Sequence, residues 1–333
     1  MAPATQQFYI PNLLSILNLQ SNTNPHEDVV REETEKWVYD YGIFTDAKWD
    51  KFLESDVPHF ASRTFSYADR EKLRDCSDFC LLMFALDDIT DDEDKKEGTL
   101  TGQASINAMQ SDGPALSSPG ERMIKDYRAR FFKSTGPILQ RRLLKDWEAT
   151  FKAFPKELEV RESKEVLSIE EYTFIRRDNC ALRMGFTHIE YALGIELPGE
   201  IYENPVFNEM YLAALDMGWL LNDVYSYGME HAKGQTTWNY LTVVMHENSI
   251  DLQTAADYSG VKFRELYDRF IDRKLHLPSW GKPLDSDVAA FLEGVGIWLA
   301  GTLQWCFEMP RYFGSHYEDV QFTYLVDLGS FEG

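Results

Sequence analysis

The stretch LLMFALDDITDDEDKKEG, residues 81–98, changes abruptly from apolar to acidic side chains. No polar side chain occurs from Leu81 to Leu86, which is the composition of a buried helix segment. Six carboxylates then follow between Asp87 and Asp94. Like charges at the C-terminal end of a helix repel one another and the helix dipole, and a bound cation would offset both effects. This stretch therefore predicts a helix with a cation-binding end.

The composition restricts the classes of partner. The chain has 333 residues, 44% of them hydrophobic, and a formal net charge of −22 at pH 7. Its length and apolar fraction suffice for a large core. An acidic surface repels nucleic acid, and no apolar run approaches the roughly 18 residues that span a bilayer. We therefore expect no nucleic acid and no integral membrane association, and an anionic substrate would require a metal ion that inverts the local charge.

The cysteines and the N-terminal residues indicate the cellular compartment in which we expect the protein. The four cysteines, Cys76, Cys80, Cys180 and Cys306, form no Cys/His pattern with zinc spacing. This pattern indicates four free thiols and a reducing compartment. The first twenty residues lack the basic segment and the apolar core of a secretory signal. We expect a soluble, cytoplasmic protein.

Apolar residues recur at helical spacing along almost the whole chain, as in residues 67–86 and in the long, mostly apolar segments at residues 208–234 and 287–313. Alternating β-branched strand patterns are missing. Gly98 and the pair Pro119-Gly120 are predicted helix boundaries, and residues 101–120 are predicted to be a loop of small residues. The pattern predicts one all-α domain over residues 1–333, a helical bundle that encloses an apolar cavity.

The acids in DDITD have the spacing of a metal site. Asp87 and Asp91 are one helical turn apart and project together, with Asp88 beside them. Carboxylate oxygens at this spacing suit a hard divalent ion, and Mg²⁺ is the natural candidate. A solvated acidic loop stays an alternative, as does an EF-hand loop, which would place Lys95 at a ligand position. Residues 92–94 are assigned to the solvated side of the site.

A second polar group occurs in LLNDVYSYGME. Asn222, Ser226 and Glu230 repeat every four residues and therefore line one stripe of a helix. An amide oxygen, a hydroxyl and a carboxylate are hard ligands of mixed charge, a set that suits Mg²⁺ and leaves room for a phosphate oxygen. The alternative is three ordinary surface positions, with the serine bonded back to a carbonyl.

The two groups together resemble the signature of class I terpene synthases, namely DDxxD and NDxxSxxxE. They occupy Asp87–Asp91 and Asn222–Glu230 in this chain. The family's diphosphate-sensing arginine matches Arg176 at the expected distance upstream, with Arg177 as the less favoured alternative. The family's C-terminal Arg-Tyr pair matches Arg311-Tyr312. Length and single-domain form are similar to those of microbial enzymes, and the N-terminal segment resembles the fungal sesquiterpene branch.

The resemblance implies an isoprenyl diphosphate as substrate and three Mg²⁺ ions as cofactors. It implies that the metal ligands are Asp87, Asp88, Asp91, Asn222, Ser226 and Glu230. Arg176, Arg311 and Tyr312 are then the catalytic groups that donate to the diphosphate. Many relatives carry a lysine just before the last glutamate of the second motif, where this chain has Met229, and Lys233 is a candidate substitute.

The resemblance also implies a dry, apolar cavity for a carbocation. Predicted liners are on the same helices as the motifs: Cys80, Phe84, Trp219, Trp298 and Trp305. Aromatic faces stabilise cations by about 0.5–2 kcal/mol each. Ordinary core packing stays the alternative for any one of them. Asn179 and Cys180 occupy the family's linker and effector positions, next to the sensor arginine, and are assigned to substrate binding.

The predicted function is Mg²⁺-dependent ionisation of an isoprenyl diphosphate, with farnesyl diphosphate favoured, followed by cyclisation or quenching to a sesquiterpene or a terpene alcohol. One alternative is a synthase of linear alcohols such as nerolidol or linalool, from farnesyl or geranyl diphosphate. A prenyl-chain elongating synthase is a second alternative, although it would normally show another aspartate-rich motif. A non-catalytic, acidic, metal-binding helical scaffold is a third. We expect a monomer or a homodimer.

Overall fold

Helices make up nearly all of the regular structure in the computed structural model, which describes residues 6–90, 93–113 and 118–331. The prediction of an all-α fold is confirmed. Short 3-10 segments lie at Thr236–Trp238, Gly314–His316 and Leu328–Phe331. The α-helices, in chain order, are α1 (Leu13–Leu17), α2 (Glu27–Asp40), α3 (Asp46–Leu53), α4 (Val57–Thr64), α5 (Arg70–Thr90), α6 (Lys95–Gln110), α7 (Pro119–Ser134), α8 (Pro137–Ser163), α9 (Ile169–Asn179), α10 (Leu182–Leu193), α11 (Gly199–Glu203), α12 (Pro205–Ala232), α13 (Tyr240–Asn248), α14 (Leu252–Lys274), α15 (Leu284–Cys306) and α16 (Tyr317–Thr323).

Helix α12 carries the second polar motif and runs through the core. It starts with a proline at its first position, and the Asn204 side chain accepts hydrogen bonds from the backbone N–H groups of Val206 and Phe207 at 3.0 and 3.2 Å. The helix then continues unbroken for 28 residues to Ala232. Because the helix is buried along most of its length, the polar stripe near its C-terminal end has a fixed position in the interior.

Helix α15 is long and apolar enough to cross a membrane, the one such helix among the residues that the structure describes. An 18-residue window within it has a mean hydropathy of 1.2, and 61% of that window is buried inside the protein. It packs against α4 so closely that a Cβ at Gly301 would lie 2.6 Å from the carbonyl oxygen of Arg63. A core helix of a globular protein has these same properties, so its hydropathy is weak support for a membrane span.

A short antiparallel strand pair joins the two ends of the chain, and the sequence patterns did not predict it. Strand β1 (Gln7–Tyr9) pairs with β2 (Leu325–Asp327), with Phe8 opposite Val326. Both of these side chains are 2% exposed, so they bury apolar surface on one face of the pair. Strands of three residues are too short to produce a recognisable alternation.

The predicted loop at residues 101–120 is wrong for its first half, which belongs to α6, and Gly98 lies inside this helix rather than at its end. The helix starts with a capping box: Asp94 accepts from the backbone of Glu97, and the Glu97 side chain accepts from the backbone of Asp94. Asp94 therefore has a structural role beyond solvation. A Cβ at Gly102 would lie 2.8 Å from the carbonyl oxygen of Phe151, so this glycine permits close packing of α6 on α8.

Candidate active site

A cavity of about 190 Å³ lies among the helices and has a largely aromatic wall. Helices α4, α5, α8, α9, α10, α12 and α15 all contribute side chains to it. The five side chains that the sequence predicted as liners, Cys80, Phe84, Trp219, Trp298 and Trp305, are all among the residues that line it. The structure thus places them together, and their action on a substrate stays a prediction.

The rings in this cavity pack around Phe60, which the sequence reasoning missed. Its centroid lies 5.0 Å from that of Trp305, 5.7 Å from that of Trp298 and 5.8 Å from that of Phe84. Phe84 and Trp305 meet edge to face at 5.7 Å. This cluster presents aromatic faces and edges to the cavity, which makes it a suitable environment for an apolar chain or a positive charge. Phe60 has no motif around it, and only its helical position could have suggested it.

A second space, which we call the polar pocket, adjoins this cavity. It is lined by Asp87, Glu157, Arg161, Arg176, Asn179, Asn222, Ser226, Met229, Glu230, Lys233, Gln235, Trp238, Arg311 and Tyr312. Asp87, Arg176, Asn179, Asn222, Arg311 and Tyr312 line the aromatic cavity as well. The two spaces therefore share a boundary built from the residues that the sequence motifs singled out.

The second motif brings three side-chain oxygen donors to the wall of the polar pocket. Ser226 Oγ donates to Glu230 Oε1 at 2.6 Å, and Asn239 Nδ2 donates to Glu230 Oε2 at 3.0 Å. The oxygen of the Asn222 side chain accepts from Arg176 Nη2 at 3.0 Å. Burial, with the nearby charge of Asp223, raises the pKa of Glu230 to about 7.

The donor set of this motif fits a hard divalent cation. It consists of an amide oxygen, a hydroxyl and a carboxylate on one side of α12, and all three side chains line the polar pocket. Glu230 is partly buried, and a divalent ion would favour the charged form of its carboxylate. Asn222, Ser226 and Glu230 can thus hold Mg²⁺ once the Ser226–Glu230 and Arg176–Asn222 hydrogen bonds are exchanged for metal bonds.

The first motif lies at the end of α5, opposite Arg311. Arg311 Nη2 is 3.9 Å from Asp87 Oδ2 and 3.5 Å from Asp88 Oδ1. Its guanidinium carbon also lies 4.9 Å from the centroid of the Phe84 ring, and its Nη1 donates to Ser55 Oγ at 2.8 Å. Asp91, the third predicted acid, and Asp92 lie outside the described residues. Asp87 and Asp88 thus face a cation that belongs to the C-terminal motif.

Arg176 is held rigidly at the boundary between the two spaces. Its Nε and Nη2 both donate to Asp223 Oδ1, at 3.1 and 2.9 Å, and its Nη1 donates to Asn179 Oδ1 at 3.0 Å. The other oxygen of Asp223 accepts from the Tyr172 hydroxyl at 2.6 Å. The sequence reasoning assigned no role to Asp223. The signal was an acid in a mostly apolar part of α12, because a buried carboxylate requires partners.

Arg177, the alternative sensor, belongs to a different ion pair. Its Nε and Nη2 donate to the two oxygens of Asp216 at 2.7 and 2.6 Å. The same carboxylate accepts from Trp219 Nε1 at 2.9 Å. Arg177 lines neither the aromatic cavity nor the polar pocket, whereas Arg176 lines both. The geometry therefore favours Arg176, as the motif spacing did.

The chain turns sharply between α9 and α10, at the two predicted linker and effector positions. Asn179 is the last residue of α9, Cys180 follows it, and Ala181 has the left-handed φ of 59°. This break brings Asn179 and Cys180 to the cavity wall beside Arg176. Burial raises the pKa of the Cys180 thiol to about 11, which keeps it neutral.

Lys233 is the C-cap residue of α12, and it lines the polar pocket together with Met229.

The Arg-Tyr pair follows α15 directly. Tyr312 is buried, and its hydroxyl oxygen accepts from Asn222 Nδ2 at 2.9 Å, which leaves its own proton for a ligand. Burial raises the pKa of this hydroxyl well above its usual range, so it stays protonated. Arg176, Asn222 and Tyr312 are thereby connected to one another before any ligand binds.

Comparison with known proteins identifies the family. The family model described as "Terpene synthase family 2, C-terminal metal binding" matches residues 78–269. The bifunctional terpene synthase Agr4 of Cyclocybe aegerita is 37% identical over 98% of this chain and 95% of its own length. A Coprinopsis cinerea protein named linoleate 10R-lipoxygenase COP4 is 36% identical over the same shares of the two chains.

Solved structures share the fold. The crystal structure of germacradien-4-ol synthase from Streptomyces citricolor covers 86% of this chain and 96% of its own, with a TM-score of 0.76 and 22% identity. At that identity the likeness concerns the fold alone. The family model spans both metal motifs and the sensor arginine, and the similar fungal proteins extend over nearly the whole chain. By sequence and by architecture, the chain belongs to the terpene synthase family and is an enzyme of that family.

Proposed function

We propose that this enzyme ionises an isoprenyl diphosphate, with farnesyl diphosphate as the favoured substrate, and releases diphosphate. The resulting carbocation is cyclised, or quenched, to a sesquiterpene or a terpene alcohol. The observation that carries this proposal is the shared boundary between an oxygen- and arginine-lined pocket and an aromatic cavity. A diphosphate with an attached hydrocarbon has these same two parts.

The proposal includes three Mg²⁺ ions. When bound, they supply positive charge that offsets the charge of the diphosphate and of the departing group. Asn222, Ser226 and Glu230 would hold one of them, and Asp87 and Asp88, with Asp91, would hold the others. Asn222, Ser226 and Glu230 lie on α12, Asp87 and Asp88 lie on α5, and Asp87 lines the same polar pocket as the second motif.

The chain's own donors then bind the leaving group. Arg176 and Arg311 present fixed N–H groups, and Tyr312 presents an O–H, to oxygens of the diphosphate. The C–O bond breaks with both of its electrons on the diphosphate oxygen, and an allylic cation remains. Because Arg176 is already oriented by Asp223 and Asn179, little reorganisation is required at that moment.

The aromatic cavity protects the cation from water. Phe60, Phe84, Trp298 and Trp305 surround it with ring faces and edges, at about 0.5–2 kcal/mol for each face that meets the charge. Cys80 and Cys180 also line the cavity, and burial raises the pKa of both thiols, so neither is a strong nucleophile. With no strong nucleophile among these cysteines, the shape of the cavity wall determines how the cation folds and which product forms.

Other activities have less support. One relative is named a linoleate 10R-lipoxygenase, but that name describes the relative and not this chain. Iron sites of oxygenases are commonly built on histidine, and the described residues that line the cavity and the polar pocket include none. The second motif is of the metal-binding type found in terpene synthases rather than the second aspartate-rich motif of elongating synthases. A linear alcohol stays a possible product within the proposed activity. We further propose a cytoplasmic monomer or homodimer.

The decisive experiment measures diphosphate release and organic products together. The purified chain is incubated with farnesyl, geranyl or geranylgeranyl diphosphate and Mg²⁺, and products are identified by gas chromatography. We expect release that EDTA abolishes, and Asn222→Ala or Asp87→Ala should lower it at least about tenfold. Asn208→Ala, an exposed position on the same helix, is the matched control. Release at the parental rate in both motif variants would refute the metal assignment.

A further inference from the structure

A residue that lines the polar pocket carries a buried hydrogen-bond donor without a partner among the described residues. The Nε1–H of Trp238 is buried and makes no hydrogen bond to any residue that the structure describes, and the Trp238 side chain lines the polar pocket. The residue as a whole is only 5% exposed. A buried N–H without an acceptor costs about 1–3 kcal/mol, so such groups in folded proteins usually have a functional or structural reason.

The segment that carries Trp238 is attached to the second metal motif on both sides. The backbone N–H of Gln235 donates to the carbonyl oxygen of Glu230 at 2.9 Å. Asn239, directly after the tryptophan, donates to the Glu230 carboxylate at 3.0 Å and to the carbonyl oxygen of Asp223 at 2.7 Å. The indole itself packs against the Tyr172 ring at 4.9 Å between centroids. Trp238 is therefore positioned by the same residues that position Glu230.

An anion in the polar pocket would gain from an uncharged donor beside the charged ones that line it. Met229, just before Glu230, presents no charge to it, although it lines the pocket. Arg176 and Arg311 already have acidic neighbours of their own. An uncharged N–H adds a hydrogen bond to an anionic oxygen without adding a competing salt bridge, and a hydrogen bond to a charged group contributes more than one between neutral groups.

We infer that the Trp238 indole N–H is a further substrate-binding group, which donates to an oxygen of the diphosphate or of a metal-bound phosphate in the polar pocket. This inference rests on the proposed function, because it takes the anion to be a diphosphate. It assigns binding to a residue outside both metal motifs and outside the arginine and tyrosine positions. The buried indole N–H then acquires its acceptor when the ligand enters.

The test uses the full chain and inorganic pyrophosphate with Mg²⁺. Trp238→Phe keeps a ring against Tyr172 and removes the N–H, whereas Trp238→His keeps a ring N–H. By titration calorimetry, we expect Trp238→Phe to bind Mg²⁺-pyrophosphate about tenfold more weakly than the parent and Trp238→His to recover part of that loss. Trp280→Phe, in a loop that lines neither space, should bind like the parent.

Labelling the tryptophans with ¹⁵N gives a readout independent of stability. Either Trp238 variant removes one indole signal and so assigns it, even if the other variant does not fold. In the parent, that signal should move downfield when Mg²⁺-pyrophosphate binds and stay in place with Mg²⁺ alone. Binding by the parent with an unmoved Trp238 signal would overturn this inference alone. No binding by the parent would instead overturn the proposed function, and this inference with it.

Discussion

At the scale of the residue, Asp223 fixes the orientation of Arg176, the predicted diphosphate-binding arginine. One of its oxygens accepts two N–H groups of Arg176, and the other accepts the Tyr172 hydroxyl at 2.6 Å and the Tyr240 backbone N–H at 3.3 Å. This carboxylate is buried, and within the described part of the chain it makes no hydrogen bond to a predicted metal ligand. It is a positioning residue, whose effect on the reaction passes through Arg176.

Replacing this carboxylate tests the positioning role. Asp223→Asn removes the negative charge and leaves a buried guanidinium with weaker partners, so we expect a loss of about 3–5 kcal/mol of stability. We also expect at least about tenfold weaker binding of Mg²⁺-pyrophosphate, measured by calorimetry. Asp216→Asn is the matched control, because it breaks the neighbouring pair with Arg177, which lines neither space. Equal binding by the two variants would contradict the role of Asp223.

The sequence predicted many of the site residues but not the residues that hold them in position. Asn222, Ser226 and Glu230 were recognisable because their spacing is fixed by one helix. Asp223 and Asn239 were not assigned, because their partners lie on other helices and no local pattern encodes those contacts. Phe60 was missed for the same reason: its role depends on where α4 packs.

At the scale of the element, α6 shows why glycine alone is a poor guide to a helix end. Gly98 and Gly102 lie inside this helix and face α8, where a side chain would collide with Leu158 and Phe151 respectively. Glycine in these positions serves packing between helices, which a reading of one segment cannot detect. Helix α8 carries Glu157 and Arg161 to the polar pocket, so this packing also bears on the site.

A pair of alanine substitutions separates packing from helix propensity. Alanine favours a helix over glycine by about 1 kcal/mol in both cases. At Gly102 the new methyl would lie 2.8 Å from the Phe151 carbonyl oxygen, so we expect Gly102→Ala to destabilise the protein by about 1–3 kcal/mol in urea unfolding. At Gly120 the nearest contact would be an ordinary 3.8 Å, so Gly120→Ala should be neutral or stabilising. A stabilised Gly102→Ala would refute the close packing of α6 on α8.

At the scale of the whole molecule, one histidine joins parts of the chain that are distant in sequence. His59, on α4, lies between Glu27 of α2 and Glu308, which follows α15, with its ring nitrogens 2.9 and 2.8 Å from their carboxylate oxygens. Glu308 also binds Arg63. Helical periodicity sufficed to predict an all-α fold, but it says nothing of such contacts between helices far apart in sequence.

This contact predicts how stability depends on pH. Burial alone would lower the pKa of His59, but hydrogen bonds to Glu27 and Glu308 outweigh it and raise the pKa to about 9. In the unfolded chain the value is about 6.5. Because the folded state holds the proton more tightly, the contribution is complete below pH 6.5 and is lost as the pH rises through 9. It amounts to at most about 3 kcal/mol.

Urea unfolding between pH 6 and pH 9.5 measures this loss. The parent should lose stability across that interval, and His59→Gln should be less stable at pH 6 and show a flatter dependence, because glutamine binds no proton there. His276→Gln removes an exposed histidine and should keep the parent's slope. The same slope in the parent and in His59→Gln would mean that another group titrates. In that case the link between α2, α4 and the end of α15 would not depend on a charged imidazole.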